Sequence, residues 1–136
     1  MAAVVLTPYL AFHDCAAAIR FFGEVFGNVE TQEQYTDDGG RIAHATIRVG
    51  GATLFVSDEY PDYGACSPKT LGGSPVALHF HVADADAVAA RMVAAGGTTL
   101  RQVEDQADGE RRGTFLDPFG YRWMIGQSLG TETTDA

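Results

Sequence analysis

The sequence predicts an α+β fold of two tandem βαβββ modules whose curved mixed sheets enclose a cleft. Three observations carry this. An apolar, β-branched stretch is followed by an aspartate and a run of helical periodicity, and then by three strand-like segments. That order occurs twice. The copies also keep one spacing: Asp84 lies 70 residues after Asp14, Gly97 70 after Gly27, Asp108-Gly109 70 after Asp38-Gly39, and Gly120 70 after Gly50. Four matches at one offset argue for internal duplication. One helix cannot cover both faces of a four-stranded sheet, so each module leaves a face bare. Pairing the bare faces makes the cleft in which a ligand would sit.

Module one spans about residues 4–57. Val4–Phe12 is apolar and β-branched and reads as a strand. Asp14 can cap a helix over Cys15–Phe26 by accepting a bond from a free backbone N–H. Ile19, Phe22, Val25 and Phe26 recur at helical spacing, and Gly27 stops the helix. Strands follow at Val29–Tyr35, Ile42–Val49 and Ala52–Ser57, with glycine turns between them. Module two, about 76–127, repeats this: strand Val76–Val82, cap Asp84, helix Ala85–Ala95, stop Gly96-Gly97, then strands Thr98–Val103, Arg111–Leu116 and Arg122–Gly126. A linker over 58–75 and a flexible tail over 128–136 complete a single domain, 1–136.

The 136 residues are 46% hydrophobic and 20% charged, proportions of an ordinary soluble globular protein. A net charge of -9 opposes binding to nucleic acid or to anionic membranes. No run approaches the ~20 apolar residues of a membrane span, and the N-terminus lacks a basic signal-peptide region. Cys15 and Cys66 are too few for a disulfide framework, which points to reduced thiols and a cytoplasmic location.

The segments Asp-Pro-Phe-Gly-Tyr-Arg-Trp at 117–123 and Gly-Gly-Ser-Pro-Val-Ala-Leu-His-Phe-His-Val at 72–82, set in two βαβββ modules, resemble the vicinal oxygen chelate superfamily. That superfamily holds glyoxalases, extradiol dioxygenases, fosfomycin-modifying enzymes and bleomycin-resistance proteins. Ala-Ala-Gly-Gly at 94–97 and Asp-Gly-Glu-Arg-Arg-Gly at 108–113 resemble its PhnB-like branch. The resemblance implies four pseudo-symmetric metal positions. Two lie in the first strands, Thr7 and Ala77, and two in the last, Leu54 and Met124. A hydroxyl and a lone thioether cannot hold a divalent metal against water, so neither a metal nor another cofactor is expected.

Strand alternation puts Ala77, His79 and His81 on one face, and His44 opposite the face of Ala43, Ala45, Ile47 and Val49. Three imidazoles could hold zinc, but no cleft-facing carboxylate completes the set, and they read as pocket lining. Glu110 and Arg111 read as residues of an exposed hairpin. Cys15, at a helix N-terminus, has no histidine base in a recognisable arrangement beyond adjacent His13 and reads as a small capping-turn residue. The expected ligand-binding set is Thr7, Tyr9, His44, Leu54, Tyr60, Tyr63, His79, His81, Arg122 and Met124, with Ala11, Ala52 and Val56 nearby. Tyr60 and Tyr63 lie in the long connector, either a cover for the cleft mouth or merely a link. Trp123 alternates with Met124 and is expected in the core. These residues point to a metal-independent protein that sequesters an aromatic or peptide antibiotic, a drug-resistance function, rather than to an enzyme. The alternatives are a glyoxalase-type lyase or isomerase with an atypical histidine-based metal site or none, and a ligand-free interaction module. The resemblance also implies a homodimer, and unpaired strand edges favour one.

Overall fold

The structure, a computed structural model, describes residues 3–130. The chain falls into two compact units, Met1–Leu71 and Gly72–Ala136. The first carries β1 (Tyr9–Phe12), α1 (Cys15–Phe26), β2 (Val29–Thr36), β3 (Ile42–Val49), β4 (Ala52–Asp58), a 3-10 turn (Pro61–Tyr63) and α2 (Pro68–Leu71). The second carries β5 (Ala77–His81), α3 (Ala85–Ala94), β6 (Thr98–Asp105), β7 (Glu110–Leu116) and β8 (Arg122–Ser128). Their sheets run β1-β4-β3-β2 and β5-β8-β7-β6, the same order in each. In each, the first strand lies parallel to the last, and the other pairs are antiparallel. The expected α+β class is therefore present as two four-stranded mixed sheets. Among the described residues, no helix is long and apolar enough to cross a membrane.

The two longer helices, α1 and α3, begin as their aspartates dictate. The Asp14 carboxylate accepts from Ala17 N and that of Asp84 from Ala87 N, each at 3.1 Å. Ala18, Phe21, Phe22 and Val25 of α1 are buried with Leu10, Phe12, Ala45, Ile47, Leu54 and Val56 of the first sheet. In the second unit, Val88 and Met92 of α3 are buried with Phe115, Trp123 and Ile125. The 117–123 segment earns its aspartate structurally. Buried Asp117 accepts from the Trp123 indole at 2.7 Å and from Phe119 N and Tyr121 N at 2.9 Å each.

Three expectations need correction. The first strand begins at Tyr9, not Val4: Pro8 has no N–H for a ladder, and Val4, Val5 and Leu6 are exposed. The connector is not a plain link, because α2 and buried Ser67 and Pro68 build it into the first unit, with α2 against β1. In the expected tail, Ser128 still belongs to β8, and Leu129 N bonds Gly109 O at 3.0 Å; residues 131–136 lie outside the described residues.

The repeat also slips. The caps stand 70 apart, but the positive-φ glycines after the helices and after β2 and β6, and the facing residues of β4 and β8, stand 69 apart. Positive φ occurs at Gly27 and Gly96 (90° and 109°) and at Gly40 and Gly109 (90° and 88°). Asp58 accepts from Cys15 N as Gln127 accepts from Ala85 N, both at 2.8 Å. Gly97 is small for a different reason: a Cβ there would lie 2.7 Å from the Met92 sulfur and 2.9 Å from its carbonyl oxygen.

Candidate functional site

A one-residue slip in a strand turns every side chain to the other face. Leu54 stands opposite Ile47 and Trp123 opposite Phe115, all four buried on the helix-packed sides. Phe55, not Leu54, is the partner in position of Met124: they stand opposite Thr46 and Thr114, and beside Tyr9 and His79. Leu54 and Val56 therefore belong to the core and not to a ligand face. Phe55 is no more a metal ligand than Leu54. Thr7 precedes β1 and is half-buried.

The open face of the first sheet carries an aromatic platform. The Tyr9, Phe55 and His44 rings meet edge to face, with centroids 5.0 to 5.5 Å apart, and Tyr35 lies 6.2 Å from His44. Tyr9 is 55% and Tyr35 61% exposed, so the platform faces solvent. Burial, and to a lesser degree Cys15, keeps the Tyr9 hydroxyl above its ordinary pKa and hence a proton donor. The Tyr9 hydroxyl lies 2.8 Å from His44 Nδ1 and the Thr46 hydroxyl 2.9 Å from Nε2; with Tyr9 donating to Nδ1, Nε2–H donates to Thr46 Oγ1. Phe55 and Tyr35 were not among the expected residues. Tyr35 comes to this face by pairing with His44 across β2 and β3, and Phe55 by pairing with Tyr9 across β4 and β1, so the signal for Phe55 is the register of β4.

The connector residues play another part. The Tyr60 hydroxyl donates to Asp37 at 2.7 Å, and the Arg41 guanidinium sits 4.2 Å over its ring. The Tyr60 bond holds the Asp37 carboxyl below its ordinary range. Tyr60 thus pins the connector to the β2–β3 turn, while Tyr63 stands 89% exposed.

On the open face of the second sheet, β5 presents Ala77, His79 and His81, and β8 presents Arg122 and Met124. The expectation that no carboxylate joins the histidines fails. Glu110 opens β7, its side chain only 12% exposed, with Oε1 3.0 Å from His79 Nε2 and Oε2 3.4 Å from His81 Nδ1. Burial opposes its ionisation, but hydrogen bonds from His79 and Arg112 outweigh that and hold its carboxyl below the ordinary value. Arg112 also reaches Asp108 at 3.0 Å. Arg111 points elsewhere, to Asp86 and Asp105. Starting the strand one residue earlier, at Glu110, would have put Glu110, Arg112 and Thr114 on one face. Cys15 is buried, and burial, then Asp58 and Asp14, push its thiol up to about 12, so it is no nucleophile at neutral pH.

The model of the Glyoxalase/Bleomycin resistance protein/Dioxygenase superfamily matches residues 5–125. Uncharacterized protein Mb0911c of Mycobacterium bovis is 38% identical over 127 residues, which are 91% of this chain and 83% of that protein. Among solved structures, TioX from Micromonospora sp. ML1 superposes with a TM-score of 0.71 at 23% identity, over 93% of this chain and 100% of that one. A glyoxalase-related enzyme from Fulvimarina pelagi gives 0.67 at 26%, over 99% and 100%. The twice-written βαβββ unit and a family match across nearly all the described residues agree, and the chain belongs to the Glyoxalase/Bleomycin resistance protein/Dioxygenase superfamily.

Proposed function

We propose that this protein is a small-molecule binder of the antibiotic-sequestering kind, taking a flat aromatic or aromatic-bearing peptide ligand on the platform of Tyr9, Tyr35, His44 and Phe55. The observation that carries this reading is the solvent-facing cluster of four rings on a sheet face its own helix does not cover. Stacking of this kind needs no metal, in keeping with the side chains at the family's metal positions, Thr7, Phe55 (for Leu54), Ala77 and Met124. A net charge of -9 favours cationic ligands.

Calorimetric titration with a panel of aromatic and peptide antibiotics tests it. A binder should emerge, and Tyr9→Ala should weaken it about tenfold, the ~1.4 kcal/mol expected of a lost stacking partner. No binder in the panel, or affinity unmoved by Tyr9→Ala and Phe55→Ala together, would sink this reading. A second reading, a glyoxalase-type lyase or isomerase, draws on the His79–Glu110–His81 group as a source of general bases. Turnover of a glutathione hemithioacetal, abolished by Glu110→Gln, would favour it.

A further inference from the structure

The polar group on the second sheet is unlike a surface ion pair in one respect: a glycine makes room for it. Strand order puts β8 between β5 and β7, so Glu110 must reach across β8 to meet the histidines. At the crossing point β8 has Gly126, paired with His81 on one side and Arg112 on the other. A Cβ at 126 would collide with the Glu110 carboxylate. The missing side chain is thus the cradle in which that carboxylate lies.

The three side chains converge as ligands do. One nitrogen from each imidazole and one carboxylate oxygen all lie within 4.8 Å of one another. Each imidazole meets a different oxygen of that carboxylate, His79 Nε2 at 3.0 Å from Oε1 and His81 Nδ1 at 3.4 Å from Oε2, close to the ~3.3 Å between ligands of a tetrahedron with bonds of about 2.0 Å. The histidines sit two apart on one strand, so backbone pleating puts both on the same face, and their ring centroids stand 4.5 Å apart. Arg112, which shares the Glu110 carboxylate, holds Asp108 as well and keeps that partner if an ion takes its place.

We infer that His79, His81 and Glu110 form a binding site for a divalent transition metal of the zinc class, with Gly126 as the cradle that seats the carboxylate. Two nitrogens and one oxygen suit borderline cations, whereas calcium and magnesium prefer all-oxygen sets. Three protein ligands leave a coordination position open to water or to an oxygen-bearing ligand. The site uses none of Thr7, Leu54, Ala77 or Met124, and it stands independently of the aromatic platform on the first sheet.

The test is zinc chloride titrated into chelator-stripped, untagged protein against a chromophoric competitor. One equivalent per chain should bind. His79→Ala and His81→Ala should each weaken binding at least about tenfold, no less than the loss of an outer partner to a metal ligand costs. Gly126→Ala should do the same with all three ligands retained, because the new Cβ evicts the carboxylate. Melting curves of the metal-free variants establish that they are folded. In the unaltered protein, zinc should shift the ring resonances of His79 and His81 and leave those of His13 and His44 in place. Binding well below one equivalent, binding that survives both histidine variants, or shifts confined to His13 or His44 would overturn the assignment.

Discussion

Burial lifts the Cys15 thiol to about 12 from an ordinary 9.0, with Asp58 and Asp14 adding to the effect, and this has a consequence for alkaline stability. Between those values the unfolded chain releases a proton that the folded chain keeps. The contribution is fully present below about pH 9 and is lost as pH rises toward 12. Urea unfolding followed from pH 8 to 10.5 should show stability falling, and Cys15→Ala should flatten that fall. The same burial predicts that, in the folded protein, an aromatic disulfide reagent titrates half-buried Cys66 and spares Cys15 until denaturant is added. Asp117 is the other residue whose neighbours decide its worth. Asp117→Ala leaves the Trp123 indole and two backbone N–H groups without their acceptor inside the second unit. The expected loss is ~3 kcal/mol by thermal or urea unfolding. Glu110 was legible in the sequence as a residue type but not as a partner. Its significance depends on the bare backbone of Gly126, a residue two strand positions beyond Met124, and nothing in local pattern connects the two.

At the level of elements, the legible parts are those where one face is buried and local chemistry sets the ends. Alternation in β3 assigned His44 and Ala45 to opposite faces correctly, and aspartate caps placed the first turns of α1 and α3 to the residue. Asp14→Ala and Asp84→Ala should each cost about 1 kcal/mol. What pattern could not supply was register past the helices. α1 has 12 residues before Gly27, whereas α3 has 10 and then Ala95 before Gly96, so the second copy reaches its glycine one residue sooner, the fixed offset breaks there, and a strand tolerates no such error. The first strand is shorter than its apolar stretch for a related reason: Val4, Val5 and Leu6 have strand-like side chains, but Pro8 stands between them and the ladder. Two glycines separate packing from turn chemistry. Gly97→Ala must push on the Met92 side chain and carbonyl and should cost ~1–3 kcal/mol, whereas Gly51→Ala meets nothing and should be near neutral. Differential scanning of the two variants checks the contrast.

For the whole molecule, the expected assembly is a homodimer. Each sheet ends on unpaired strands, and Val4, Val5 and Leu6, at 99%, 78% and 90% exposure, are apolar side chains that association would cover. Sedimentation at micromolar concentration should report twice the 14.5 kDa chain mass, and a species at 14.5 kDa would contradict it. The slip between the two copies bears on how such a gene can change. Unequal recombination between repeats joins positions that match in sequence, and here the conspicuous matches stand 70 codons apart. A crossover at the helix caps respects the architecture. One made inside β4 and β8 at that same spacing would put Leu54 in the place of Met124 and Phe55 in that of Ile125, turning the strand inside out against its neighbours. The one-residue difference makes the sheet halves poor exchange partners at that spacing, and the two carry different chemistry: rings on one, imidazoles and a carboxylate on the other.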